Sequence, residues 1–261
     1  MGAMKLSNTH TQRYLLRIAD AALILSQRNS EWCGHGPILE EDLAQANMAL
    51  DLLGQARALL THAGAADGLD EDQLAMLRLE HQFLNPVLFE LPHAVDGRRP
   101  GDFAFTVVRN FLTAAWFNLL WTKLLDSCDT ELAAIAEKSL KEARYHLQHS
   151  ADWCVRLGDG TADSQVRMQA ALERAWPYLG ELFEGDEVDA AAEAEKLGPS
   201  WASLQAEWRA LVEPVLAQAT LKLPKDRPNA HRGRHGAHSE HLGHLLSDLQ
   251  YLQRAYPGGT W

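Results

Sequence analysis

The chain has 261 residues, 46% of them hydrophobic, with 18 glycines and 10 prolines, so it can build one sizeable core and is too apolar to stay disordered. Its formal charge of −11 argues against a nucleic-acid partner, because phosphate binding needs concentrated Lys and Arg. Three isolated cysteines, Cys33, Cys128 and Cys154, form no C-x-x-C pair and suit a reducing cytoplasm. No secretory h-region opens the chain, and its longest apolar stretch, residues 111–121, is too short to span a bilayer. Neither a signal peptide nor a membrane partner is expected.

Helical periodicity dominates and strand-like alternation is nearly absent, which predicts an all-α fold. A first helix is expected over residues 11–28, where Leu15, Leu16, Ala19, Ala22, Leu23 and Leu25 give a broad apolar face. A Gly/Pro turn at 30–37 leads to a second helix, 39–63, with Glu40, Glu41 and Asp42 at its positive end. The third, 71–84, stops at Asn85-Pro86, and 91–102 is a loop containing Arg98 and Arg99. Helix four, 103–127, carries Phe111, Trp116, Phe117 and Trp121 as core. Helix five, 130–157, closes at Gly158 and Gly160, and helix six, 163–183, should kink at Pro177. An acidic, Ala-rich stretch, 184–196, precedes helix seven, 200–220, with Ser200 as N-cap. A basic loop, 223–236, precedes helix eight, 239–256. Nothing divides the chain, so residues 1–261 read as one domain. Residues 1–10 are expected to be a disordered or expression-derived N-terminus.

One stretch of helix five, Glu142-Ala143-Arg144-Tyr145-His146, nearly spells a di-metal ligand motif. Di-iron bundles use Glu-x-x-His pairs, because a step of three returns to the same helix face. Here Tyr145 occupies the His position, and His146 lies one step further. Glu240 and His244 repeat the wider spacing, so Glu142, His146, Glu240 and His244 form an alternative ligand set. His235, His238, His241 and His244 recur every three residues, but steps of three drift by about −60° each, so only adjacent pairs face one way. Glu90-Leu91-Pro92-His93 is the one literal Glu-x-x-His, and its proline breaks the helical geometry. Lys225, Arg227, Arg232 and Arg234 read as a solvated loop or as a surface for an acidic partner or phosphate.

Several ordered motifs together resemble the C-subunit family of bacterial 1,2-phenylacetyl-CoA epoxidases. They are Ser26-Gln27-Arg28 with Glu31-Trp32-Cys33-Gly34-His35, then Asp51-Leu52-Leu53-Gly54-Gln55-Ala56-Arg57 and the segment 141–147. Glu240-His241-Leu242-Gly243, Tyr251-Leu252-Gln253-Arg254, Pro257-Gly258 and Trp261 complete the set. The resemblance spans residues 11–261. It implies a ferritin-like helical bundle with additional helices, acting as a non-catalytic subunit beside a homologous catalytic A subunit that carries di-iron. The complex would include further components and a reductase using NADPH and flavin or iron–sulfur centres. It implies no cofactor in this chain. Against the catalytic sibling's Asp-Glu-x-Gly-His, Leu52 and Gln55 are degenerate ligand positions, joined by Glu142 and Tyr145. Gln82, Phe83, Leu84 and Asn85 resemble a family segment bordering a CoA-thioester channel at the subunit boundary. From the residues themselves two other readings stay open: a di-metal oxygenase in its own right, or a helical binding module with an unrelated partner.

Overall fold

The computed structural model describes residues 4–94 and 101–259. Arg98, Arg99 and Trp261 lie outside the described residues. Four long helices make the frame. Helix α1 (His10–Ser30) pairs with α2 (Leu39–Gly64), and α5 (Phe103–Leu124) pairs with α6 (Thr130–Gly158). The two hairpins pack face to face through α2 and α6, giving a ferritin-like bundle. The starts follow the caps: the side chains of Thr9, Asp102 and Asp129 accept from first-turn N–H groups of α1, α5 and α6.

Helix α5 is the core helix. It carries the expected aromatic stripe, with Trp116 and Trp121 fully buried, and Trp116 meets Trp201 edge-on at 4.5 Å. It is also the one helix among the described residues long and apolar enough to cross a membrane. However, 89% of that window is buried inside the bundle, so its hydrophobicity serves packing.

Smaller helices wrap the frame: α3 (Glu71–Met76), α4 (Val87–Glu90), α7 (Ala162–Ala175), α8 (Glu187–Ala194), α9 (Gln205–Gln218) and α10 (Glu240–Ala255). Several differ from expectation for identifiable reasons. The third helix ends at Met76 because the Arg78 side chain turns inward to pair with Asp20 and to donate to Leu74 O. Pro177 does not kink an α-helix; α7 stops before it, and residues Trp176–Phe183 continue as a 3-10 helix with the proline in its first turn. The acidic stretch forms α8, capped by Asp186, which accepts from the N–H groups of Val188 and Asp189. Ser200 makes no side-chain cap and precedes a 3-10 turn, Trp201–Leu204. Residues 4–9, expected outside the fold, are tied to it: Ser7 N–H donates to Asp67, and Met4 O accepts from Gln82.

Buried ion pairs fasten these wrapping segments. Asp20 of α1 pairs with Arg78 and accepts the Leu84 N–H, and both charged side chains are fully buried. Arg17 pairs with Asp186, and Arg234 with Asp189 at 2.6 Å. Arg234 therefore belongs to the interior and lies over the Trp201 ring, whereas Lys225, Arg227 and Arg232 of the same basic loop are exposed.

Candidate functional site at the bundle centre

Helix rotation decides which side chains point between the four helices. On α2 the buried face includes Met48, Leu52 and Gln55. On α6 it includes Ala143, His146 and Ser150. Of the two degenerate ligand positions expected on this helix, Tyr145 is 51% exposed and faces outward, and Glu142 is half-buried at the seam. Three residues before His146, on the same inward face of α6, stands Ala143. The near-motif Glu142 to Tyr145 sits about one residue, or 100°, around the helix from the inward face.

The α2–α6 seam is a ladder of polar pairs. Gln55 Nε2 donates to Glu142 Oε2 at 2.9 Å, and His146 Nε2 lies 3.0 Å from Asp51 Oδ2. Further along, Glu41 Oε1 accepts from Trp153 Nε1 at 2.6 Å, and His149 lies 3.2 Å from the same oxygen. Thus Glu142, Gln55 and His146 each have a neighbour on the facing helix.

At the centre is a cavity of about 10 Å³. Leu25 and Asn29 line it from α1, Met48 and Leu52 from α2, Asn110, Thr113 and Phe117 from α5, and His146 and Ser150 from α6. Two iron ions need several anionic carboxylates around them. This lining offers one imidazole, already engaged by Asp51, and no carboxylate. Leu52 is part of that lining, and Ala143 is buried on the facing helix α6. The residues present do not fit a di-metal centre, and among the described residues no group of three or more His, Cys, Asp and Glu is placed to hold a metal.

The alternative set does not converge either. Glu240 and His244 are exposed on α10, which packs on α3, α4 and the turn at 80–82, away from the inward face of α6. The histidine tract disperses: His235 lies 3.5 Å from Asp186, His244 faces solvent, and His238 is interior. His238 Nδ1 lies 2.8 Å from Glu90 Oε2, and Nε2 lies 2.8 Å from Phe83 O. Glu90 also accepts from Asn85 and from Ser239 N–H. Both ring nitrogens thus face oxygen atoms, an arrangement that favours the protonated imidazolium. Burial alone would lower its pKa; the hydrogen bond and charge of Glu90 outweigh it and hold the pKa above the usual 6.5. His93, by contrast, is pushed well below that value by burial and by Arg109, and bonds Thr106 and Arg28 O. Glu90 and His93 thus do not pair with each other; Arg28 lies between them, its guanidinium donating to Glu90 O and its backbone carbonyl meeting His93.

The segment 82–85 splits in two. Phe83 is buried with the Arg78 guanidinium 4.2 Å over its ring, and Asn85 is buried against Glu90, so neither is accessible to a ligand. Gln82 and Leu84 line a surface groove of about 210 Å³ with Leu6, Arg13 and His81. Sequence reasoning missed the fully buried Asp20–Arg78 pair, whose only local signal is a charge, Asp20, inside an otherwise apolar stretch of α1.

Residues 3–261 match the family described as "Phenylacetic acid catabolic protein". The chain is 46% identical over 250 residues to the C subunit of 1,2-phenylacetyl-CoA epoxidase from Escherichia coli (strain K12), covering 95% of this chain and 98% of that protein. A match across nearly every element of the bundle, at that identity, makes this chain a member of the phenylacetic acid catabolic protein family.

Proposed function

We propose that this chain is a non-catalytic subunit of a phenylacetyl-CoA epoxidase, bracing a homologous catalytic subunit that holds the di-iron centre. The observation that carries the reading is the donor set at the bundle centre: Leu52, Gln55 and Ala143 where a working cage needs anionic and imidazole ligands, with His146 turned to Asp51. Such a centre is packed instead of holding metal, so the epoxidation falls to the partner. The partner's reductase would supply electrons from NADPH through flavin and iron–sulfur centres, and none of these groups is assigned to this chain.

A surface for the partner is at hand. Leu39, Leu43, Leu50 and Leu53 lie on the face of α2 opposite its buried one, with Leu39 73% and Leu50 64% exposed. With Ala46 their spacing is four, three, four, three, the pattern that lets helices interlock. The exposed Tyr251 and Leu252 of α10 add to the apolar surface. Gln82 and Leu84 are retained as the part of segment 82–85 open to a CoA thioester at the boundary. The compartment is proposed to be the cytoplasm: Cys33, Cys128 and Cys154 are all free, and burial pushes the Cys154 thiol up to about 12.

Co-expression with the catalytic subunit tests the reading. The two chains should co-elute with iron only in the catalytic chain. Replacing Leu43 and Leu50 together by Asp should weaken pairing on the order of 100-fold while the isolated chain stays folded. Failure to co-elute would favour a helical module for an unrelated partner, and full activity of this chain alone would refute the reading.

A further inference from the structure

We propose that the bundle centre is a binding site for one ordered water molecule, held by Asn29, Asn110 and Ser150 from three different helices. The inference rests on the non-catalytic reading of this same site and adds what occupies it.

Size comes first. The cavity of about 10 Å³ is close to the minimum for one water, roughly 10–15 Å³, and far below what two metal ions with bridging oxygens require. Polarity comes second. Asn29 Oδ1, Asn110 Oδ1 and Ser150 Oγ have no hydrogen-bond partner among the described residues. Their side chains belong to residues only 2%, 5% and 2% exposed. A buried polar atom without a partner is rare, and three around one cavity point to a shared ligand.

The hydrogen-bond count closes on water. Asn110 Nδ2 donates to Gln45 Oε1 at 3.1 Å, which orients the amide and leaves Oδ1 free for the ligand. A water donates its two protons to the two amide oxygens and accepts the Ser150 hydroxyl proton. That makes three bonds, the usual number for a buried water, and satisfies all three protein atoms. A cation is disfavoured because no carboxylate lines the cavity and the serine offers a proton. Anything larger is blocked by Leu25, Met48, Leu52 and Phe117. The water would then link α1, α5 and α6 at the level where a metal-binding relative would use ions.

A high-resolution crystal structure of the full chain, with data collected at the iron absorption edge, tests this. The expected result is one water-sized peak within hydrogen-bonding distance of the three oxygens and no anomalous signal. A dry cavity overturns the water site and leaves the non-catalytic reading standing; an anomalous peak there overturns both. In solution, oxygen-17 relaxation dispersion should detect one long-lived water that Asn29→Leu removes. If Asn29→Leu fails to fold, Ser150→Ala, which deletes the donor, should shorten that water's residence. An unchanged long-lived component in the folded variant would overturn the proposal.

Discussion

Two buried regions of this protein treat charge in opposite ways. The belt where α1 meets the wrapping segments holds Asp20–Arg78, Arg17–Asp186, Arg234–Asp189 and Glu90–His238, nearly all of it hidden from solvent. The bundle centre, equally hidden, is lined by leucine, methionine, phenylalanine, neutral amides, two hydroxyls and the single imidazole of His146, with no carboxylate. The difference is that the belt must anchor irregular backbone. Its carboxylates accept from backbone N–H groups of Leu84, Val188 and Ser239 that no helix ladder can satisfy. The centre joins four regular helices whose backbones are already satisfied, so a charge there has a use only if a metal balances it. Without that balance it is a cost.

The largest expected effect comes from breaking the belt. Asp20→Ala leaves Arg78 buried without its counter-charge and should destabilise by about 3–5 kcal/mol in urea unfolding. A loss under about 1 kcal/mol would mean the belt is not what fastens residues 78–84. Next is the reverse experiment at the centre. Leu52→Glu places a carboxylate in a cavity lined by no cation and should cost about 3 kcal/mol, with the introduced carboxyl titrating well above the usual carboxylate range. If added ferrous iron rescued that stability fully, the centre would still be a metal cage.

Smaller, and dependent on pH, is the His238 pair. Its pKa is raised in the fold, so its contribution is fully present below about pH 6.5 and fades as pH rises through the raised value. His238→Gln should remove this slope and cost about 1.5 kcal/mol at pH 6, the worth of a hydrogen bond to a charged group. A slope that survives the substitution would assign it elsewhere. Smallest is Tyr145→Phe on the exposed face of α6, expected within about 0.5 kcal/mol of the parent.

These regions also differ in how much of them can be read from sequence. The long helices could be placed because their apolar stripes and the Gly and Pro stops between them are local, whereas the caps at Asp102 and Asp129 emerged from the structure and the expected cap at Ser200 makes no side-chain bond. Leu52 and Gln55 sit in a continuous sequence motif, and both lie on the buried face of α2. The rotation of α6 could not be read this way, since Glu142 and Tyr145 spell a near-motif beside the inward face, and the deciding residues, Ala143 and Ser150, are small and carry little chemical signal. The belt was hidden for another reason: Asp20 and Arg78 lie 58 positions apart, and Arg17 and Asp186 lie 169 apart, so no periodicity connects them. The same network shortened the third helix, because the inward Arg78 takes over where the helical ladder stops.

The central claim is that this chain's own bundle is packed where a catalytic relative would hold metal. Iron analysis of the purified chain after aerobic reconstitution with ferrous salt, run beside the chain paired with its catalytic partner, tests it most directly. The account predicts no stoichiometric iron on the chain alone and iron in the pair assigned wholly to the partner. A full di-iron complement retained by the isolated chain would contradict it.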